Sequence, residues 1–354
     1  MKIGMSVSQV SHIDLVVAAE QQGFDFCWVW DSPLLRSNLW SVLTLAADRT
    51  STIAIGPGVC VPALRLAPET ANGIATINRL APGRTFLGLG TGNTALRTMG
   101  QRPMRLRDFE THVRVVKALL AGESVAFSAN GITHDISFQS RELDSVDLDH
   151  PIPLHLAGFG PKAQALAGEL GDGLITALPR GGDLSEIGAN LEQGAARSGN
   201  DLNGFDTLAL VTLLVLREGE TLASDRVVDE LGSSLLVNLH YVYDRYLETG
   251  AEPPAFAAQI WEEYLDFRTR RDADRDPSRA HANHYGTLDP AEARFVTPDL
   301  IRAFAIAGQP VEVADQLRAL ERRGLTGICF VPPAGREAEL YREFAETVIP
   351  LLGR

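Results

Sequence analysis

Two glycine-bearing turns and one acidic strand end are where this sequence could do chemistry. In residues 84–97, RTFLGLGTGNTALR, an apolar run through Phe86, Leu87 and Leu89 ends in Gly88, Gly90 and Gly92, then in residues able to open a helix. A strand buried on both faces carries such glycines where another molecule or another stretch of backbone comes unusually close. A ligand at the strand's carboxyl end satisfies that reading, and so does a tight β-to-α turn. The second turn, Gly158-Phe159-Gly160-Pro161, lies between a strand and a helix, with proline in the first helical turn. Free backbone N–H groups and the helix dipole would then face one point and form an anion cradle, although an ordinary capped turn has the same residues. Lys162 beside it reads equally as a solvated helix residue. The acidic strand end is Asp31, closing FCWVWD. A carboxylate there can accept a hydrogen bond from a ligand's polar edge, relay a proton, or cap the next turn.

Positioning these groups falls to a regular alternation. Apolar runs at 2–7, 25–30, 53–61, 86–89, 152–157, 173–176, 207–216 and 327–331 read as strands, the third broken by Gly56, Pro57 and Gly58. Amphipathic segments between them read as helices: one from residue 13 stopped by Gly23, then 39–49, one opened by Pro68, 106–120 ended by Gly122, 161–170, 184–198 and a closing 337–352. Eight strands with interleaved helices make a (β/α)8 TIM barrel the economical fold, with a doubly wound open sheet as the alternative. Residues 125–138 alternate around Asn130-Gly131 and give a small hairpin after the fourth helix. Residues 217–326, mainly helical in composition, form an insertion between the seventh and eighth strands of one domain spanning 1–354. An insertion there belongs to the carboxyl face, where it can cover a site or serve as an oligomerisation surface.

Composition removes several functions. The chain has 354 residues, 45% of them hydrophobic, enough for a large core, and its 32 basic against 45 acidic residues give a net charge of −13. That balance argues against a nucleic-acid partner, though local N–H groups can still hold an anionic ligand. Cys27, Cys60 and Cys329 are odd in number and embedded in apolar runs, which suits buried free thiols in a reducing cytoplasm and fits neither disulfide nor metal spacing. His281 and His284, in a charged stretch, read as surface residues rather than a metal pair. His240 reads as a packed helix position or a pocket residue. No apolar run reaches the length of a membrane span, and MKIGMSV opens a strand rather than a signal peptide.

Several segments together resemble the luciferase-like oxidoreductases, which use flavin or the deazaflavin coenzyme F420. They are WVWD at Asp31, GPGVCVP, FLGLGTGNTALRTMGQRP with RLRDFETHVRVVKALLAGE, LHLAGFGPKAQALAGELGDGLIT, and AGQPVEVADQLRALERRGLTGICFVP. The pattern looks closest to the branch containing methylenetetrahydromethanopterin reductase. The resemblance implies F420, with FMN as the alternative cofactor, bound at the barrel mouth by Ser6, Asp31, Gly58, Val59, Cys60, Thr91, Gly92, Asn93, Ala157, Gly158, Phe159, Gly160, Pro161 and Arg180. It also implies a non-prolyl cis bond at Gly58–Val59 behind the ring, the phosphate at Gly158–Pro161 with Arg180 nearby, and catalytic roles for Asp31 and Asn93. Two departures stand out. Ser32 replaces a histidine that follows the acidic residue in many relatives. Asn93 stands where a sugar-phosphate dehydrogenase of the family has a proton-donating glutamate, which an amide cannot imitate. The resemblance further implies hydride transfer to or from a small organic substrate and a homodimer. A flavin monooxygenase and a non-catalytic binding relative are the rival readings.

Overall fold

The computed structural model describes residues 1–139, 141–179, 182–272 and 288–353. Its strands are β1 (Lys2–Val7), β2 (Phe26–Val29), β3 (Ala54–Pro57), β4 (Leu87–Leu89), β5 (Val125–Ala129), β6 (Ile132–Ile136), β7 (Leu154–Ala157), β8 (Gly173–Ala177), β9 (Asp206–Val215), β10 (Ala305–Gly308) and β11 (Gly327–Phe330). The main sheet runs β3-β2-β1-β11-β9-β8-β7-β4. Two isolated parallel bridges, Ile55↔Thr85 and Cys60↔Leu89, join its ends, so the eight strands form a nearly closed parallel barrel. The expected TIM-barrel fold is the one observed.

Short apolar runs make these strands because both faces are covered: all of FCWV in β2 and all of GICF in β11 are buried. Inside the barrel Phe26, Trp28, Phe86, Ile175, Leu208 and Cys329 pack together, with Phe26 tilted against Trp28 at 5.5 Å and edge-on to Phe86 at 6.4 Å. The surrounding helices follow the sequence pattern. Leu106–Leu120 buries Phe109, His112, Val113 and Val116, spaced three and four residues apart so that they share one face. Leu39–Arg49 starts on the Asn38 side chain, which accepts from the Ser41 N–H. The β5–β6 hairpin turns through Asn130 and Gly131, both at positive φ, as its sequence requires.

The chain divides into two compact units. The first comprises Met1–Ala177, Asp183–Leu210 and Glu321–Cys329; the second comprises Leu178–Gly182, Val211–Leu320 and Phe330–Arg354. In the second, Val227, Leu231, Leu235 and Leu239 of the helix Asp225–Thr249 pack with Trp261, Tyr264 and Phe295. Arg226 pairs with Glu220 and Glu230, and Arg217 with Glu339 and Glu343.

The interval 217–326 also carries a strand that its mainly helical composition does not announce: β10 lies within it and pairs in parallel with Thr212–Val215 of β9. Its sequence, AIAG, follows the helix Pro298–Phe304 directly and has too few residues to show a period. The third strand stops at Pro57 rather than Val61, because the backbone turns at a cis peptide immediately beyond. Among the described residues no helix is long and apolar enough to cross a membrane, and no cluster of His, Cys, Asp and Glu forms a metal site. His281 and His284 lie outside the described residues.

Candidate functional site

Parallel strands put their carboxyl ends on one rim. The segments singled out in the sequence leave that rim: Trp30–Asp31 after β2, 58–61 after β3, 90–93 after β4 and 158–161 after β7. Ser6 is buried on β1, in register with Trp28, and hydrogen-bonds the Cys329 thiol, which burial pushes far above its ordinary pKa. Arg180 lies outside the described residues.

The seam between β3 and β4 explains the glycine series. Gly58–Val59 is a non-prolyl cis bond, as the family resemblance implied. Around it the Gly58 N–H donates to the Val29 carbonyl at 2.9 Å, Cys60 N–H to the Gly88 carbonyl at 2.8 Å, and Gly90 N–H to the Cys60 carbonyl at 3.1 Å. A β-carbon on Gly88 would lie 2.1 Å from the Pro57 carbonyl oxygen, one on Gly90 2.6 Å from Val59 Cγ2, and one on Gly92 2.3 Å from Val61 Cγ1. Alternate residues 57, 59 and 61 thus seat on alternate glycines 88, 90 and 92. What comes close to these glycines is the protein's own neighbouring segment. The Gly90 position also lies 3.3 Å from Ala157 Cβ, so Val59, Gly90 and Ala157 meet, and Val59 and Ala157 stay half-buried at the rim.

Asp31 is held by the chain itself. It is buried, and its Oδ2 accepts from the Val61 N–H at 2.9 Å while Arg65 Nη1 and Nη2 donate to its two oxygens at 2.5 and 3.1 Å. Arg65 Nη1 also reaches Cys60 Sγ at 2.9 Å, its Nε pairs with Glu69 at 3.3 Å, and its guanidinium lies 5.7 Å from the Trp40 ring centre. Burial works against the Arg65 charge, but the Asp31 hydrogen bonds outweigh it and raise its pKa. Burial pushes the Cys60 thiol up to about 12, with Arg65 opposing. Burial, and then the Arg65 charge, pull His112 down to about 4. Arg65 was missed in the sequence, although a buried carboxylate at a strand end calls for a cation nearby. The available signal was one basic residue in an apolar run, VPALRLA, just after the third strand.

Asn93 begins the short helix Asn93–Thr98, is exposed, and accepts from Arg97 Nε at 2.7 Å through its side-chain oxygen. Thr91 is half-buried, and its carbonyl accepts from the Met104 N–H at 2.9 Å. The other turn opens a helix where its sequence placed one. The helix Pro161–Leu170 has Gly160 as N-cap with no side-chain cap, and Pro161 fills the first turn. Gly158 is buried against Ala163, with its N–H on the Ile175 carbonyl at 3.0 Å, whereas a β-carbon on Gly160 would meet nothing within 4 Å. Phe159 is 72% exposed. His240, in the second unit, is buried 3.3 Å from Glu292, as a packed helix position.

The chain is thus a parallel α/β barrel with a bulged third strand and a helix start at Gly160 on the same rim. Residues 5–327 match the luciferase-like monooxygenase family, and the chain belongs to that family. It is 28% identical over 346 residues to a 5,10-methylenetetrahydromethanopterin reductase of Archaeoglobus fulgidus, covering 95% of this chain and 94% of that protein. It is 27% identical over 363 residues to an F420-dependent glucose-6-phosphate dehydrogenase of Kineococcus radiotolerans, covering 96% and 92%. In fold it is similar to the coenzyme F420-dependent tetrahydromethanopterin reductase of Methanopyrus kandleri, with a TM-score of 0.71, 22% identity and 99% of each chain covered.

Proposed function

We propose that this chain is a coenzyme F420-dependent oxidoreductase that transfers hydride between the deazaflavin and a small organic substrate at the carboxyl rim. The observation that carries this reading is the meeting of Val59, Gly90 and Ala157 beside the cis bulge, on the rim that also bears the uncapped helix start at Gly160. A flat tricyclic ring needs an apolar wall on one face, and its charged tail needs donors without an internal partner. The half-buried Val59 and Ala157 suit the first, and the open Gly160–Pro161 turn suits the second; a role for Arg180 rests on the family resemblance alone. Bound there, the deazaflavin would supply the hydride chemistry. The chain's own task is to orient the two reactants, with the amide and hydroxyl groups of Thr91 and Asn93 as hydrogen-bonding partners along the rim. The family resemblance to F420-dependent reductases and dehydrogenases supports the deazaflavin over FMN. A homodimer belongs to the same proposal and is tested by light scattering.

Fluorescence-quenching titrations with F420 and FMN separately test the cofactor. Binding of F420 is expected, and micromolar binding of FMN with none of F420 overturns the reading. Binding of neither favours a non-catalytic relative. Screening turnover of reduced F420 over enones, imines and nitroaromatics then identifies the substrate class.

A further inference from the structure

Beside the cis bulge lies an ionic cluster that a ring-binding site does not by itself require. The Arg65 and Asp31 side chains are only 12% and 3% exposed, so this is no solvated surface pair. Burying two charges is costly, and an apolar pair of similar size would often be at least as stable. What the ions add is direction. Asp31 fixes the Val61 N–H, and Arg65 holds both Asp31 oxygens and the Cys60 sulfur in one planar fork. Glu69 and Trp40 fix the other side of the guanidinium, and Trp40 Nε1 ties back to Glu69 at 3.0 Å. Two consecutive residues, Cys60 and Val61, are thereby pinned one step beyond the cis bond, and Val59 is pinned against Gly90 and Ala157.

We propose that Arg65 is a positioning residue, with Asp31 its counter-charge, and that the pair clamps the 59–61 segment so that Val59 is held as the wall behind the cofactor ring. Asp31 thus acts through the clamp and not as a proton relay. A carboxyl O–H at this point would face guanidinium and amide donors, with no acceptor from the clamp to receive its proton. A lysine cannot substitute fully, because one ammonium does not reproduce a fork that spans both carboxylate oxygens. The part of this inference that concerns the ring rests on the F420 reading above. The clamp itself does not.

The test uses the full chain as wild type, Arg65→Met, Arg65→Lys, Asp31→Asn and the Asp31→Asn/Arg65→Met double variant, with circular dichroism to check folding. Hydrogen exchange at the Val61 amide reads the clamp without any cofactor, and exchange roughly tenfold or more faster in Arg65→Met and Asp31→Asn is expected. Should Arg65→Met fail to fold, Arg65→Lys carries the comparison, with a smaller acceleration expected. For F420 binding, each single variant should raise Kd by roughly tenfold and the double variant should be no worse than the weaker-binding single, since both residues serve one device. Unchanged Val61 exchange overturns the clamp. Effects on Kd or kcat that multiply in the double variant, or loss of kcat in Asp31→Asn with none in Arg65→Met, overturn it in favour of direct chemistry by Asp31. If wild type binds no F420, the cofactor reading fails, and faster Val61 exchange still supports the clamp.

Discussion

Replacing Gly88 with alanine should damage the first unit more than any other single methyl group on the rim glycines. The added carbon would lie 2.1 Å from the Pro57 carbonyl oxygen and 3.0 Å from Ile175 Cδ1. A side-chain tip could rotate away; a carbonyl in a hydrogen-bonded seam cannot. Relief must separate β3 from β4, and this strains the Cys60 N–H bond to Gly88 and the Gly90 N–H bond to Cys60, at 2.8 and 3.1 Å. Overpacking of this kind costs about 1–3 kcal/mol and each weakened bond about 1 kcal/mol, for a total of about 3–5 kcal/mol. The matched control is Gly160→Ala. There the new methyl meets nothing within 4 Å and the φ of −121° suits any residue, so stability should stay within about 0.5 kcal/mol of wild type. Urea unfolding followed by tryptophan fluorescence suits the comparison, because Trp28, Trp30 and Trp40 lie in the first unit and only Trp261 in the second. With a slope near 2–3 kcal/mol/M, Gly88→Ala should unfold about 1–2.5 M earlier. A midpoint equal to wild type refutes the seam as described, and a drop in Gly160→Ala refutes the open turn.

Three further outcomes follow from buried or capped groups. The Glu20 carboxylate loses some solvation but accepts from the backbone N–H groups of Ser51, Thr52 and Ile53, and its pKa falls to about 2. Its folded pKa lies below the unfolded one, so its contribution is present above about pH 4.5 and is lost as pH falls towards 2. Glu20→Gln should therefore cost about 1 kcal/mol at pH 7, the mainly solvated position limiting the effect, and the difference should fade in acid unfolding curves. Burial holds His155 at about pKa 4, with Asp206 opposing, while its ring stacks on Phe86 at 5.2 Å. The unfolded state then takes up the proton first, so stability should decline as pH drops from about 6.5 to 4, and NMR titration should find this ring neutral at pH 6. All three cysteines are buried and free, so a thiol reagent should label none of them rapidly in the native protein and all three after denaturation.

The barrel was legible in the sequence because its strands are short apolar runs separated by helices that glycine stops. The helix at 106–120 and the hairpin at Asn130-Gly131 are found where periodicity and turn chemistry put them. The β3 boundary was not, since Val59, Cys60 and Val61 continue the apolar run while the backbone has already turned. β10 was hidden because AIAG suits a helix as well as a strand and draws its pairing from β9, some 90 residues away. The glycines show the same limit more sharply. Their spacing announces that something comes close, and nothing local distinguishes a ligand from residues 57, 59 and 61. Arg65 was illegible for a related reason: a lone cation in an apolar stretch has meaning only once Asp31 faces it.

The seam between β3 and β4 has a different character from the other junctions of the barrel. Strands such as β1 and β2 or β7 and β8 share continuous ladders, whereas here two isolated bridges flank a bulge. A continuous ladder commits its backbone groups to the neighbouring strand; a bulge frees part of the segment to face the rim. The same freedom removes the bonds that would otherwise fix its shape. Glycines that let side chains 59 and 61 sit flush against β4, and the buried Asp31–Arg65 pair that fixes 60 and 61, restore that rigidity by other means. If the cofactor binds as proposed, stability and recognition draw on the same residues at this one seam. Substitutions there should change both together, while substitutions at the open Gly160 turn should change ligand affinity alone.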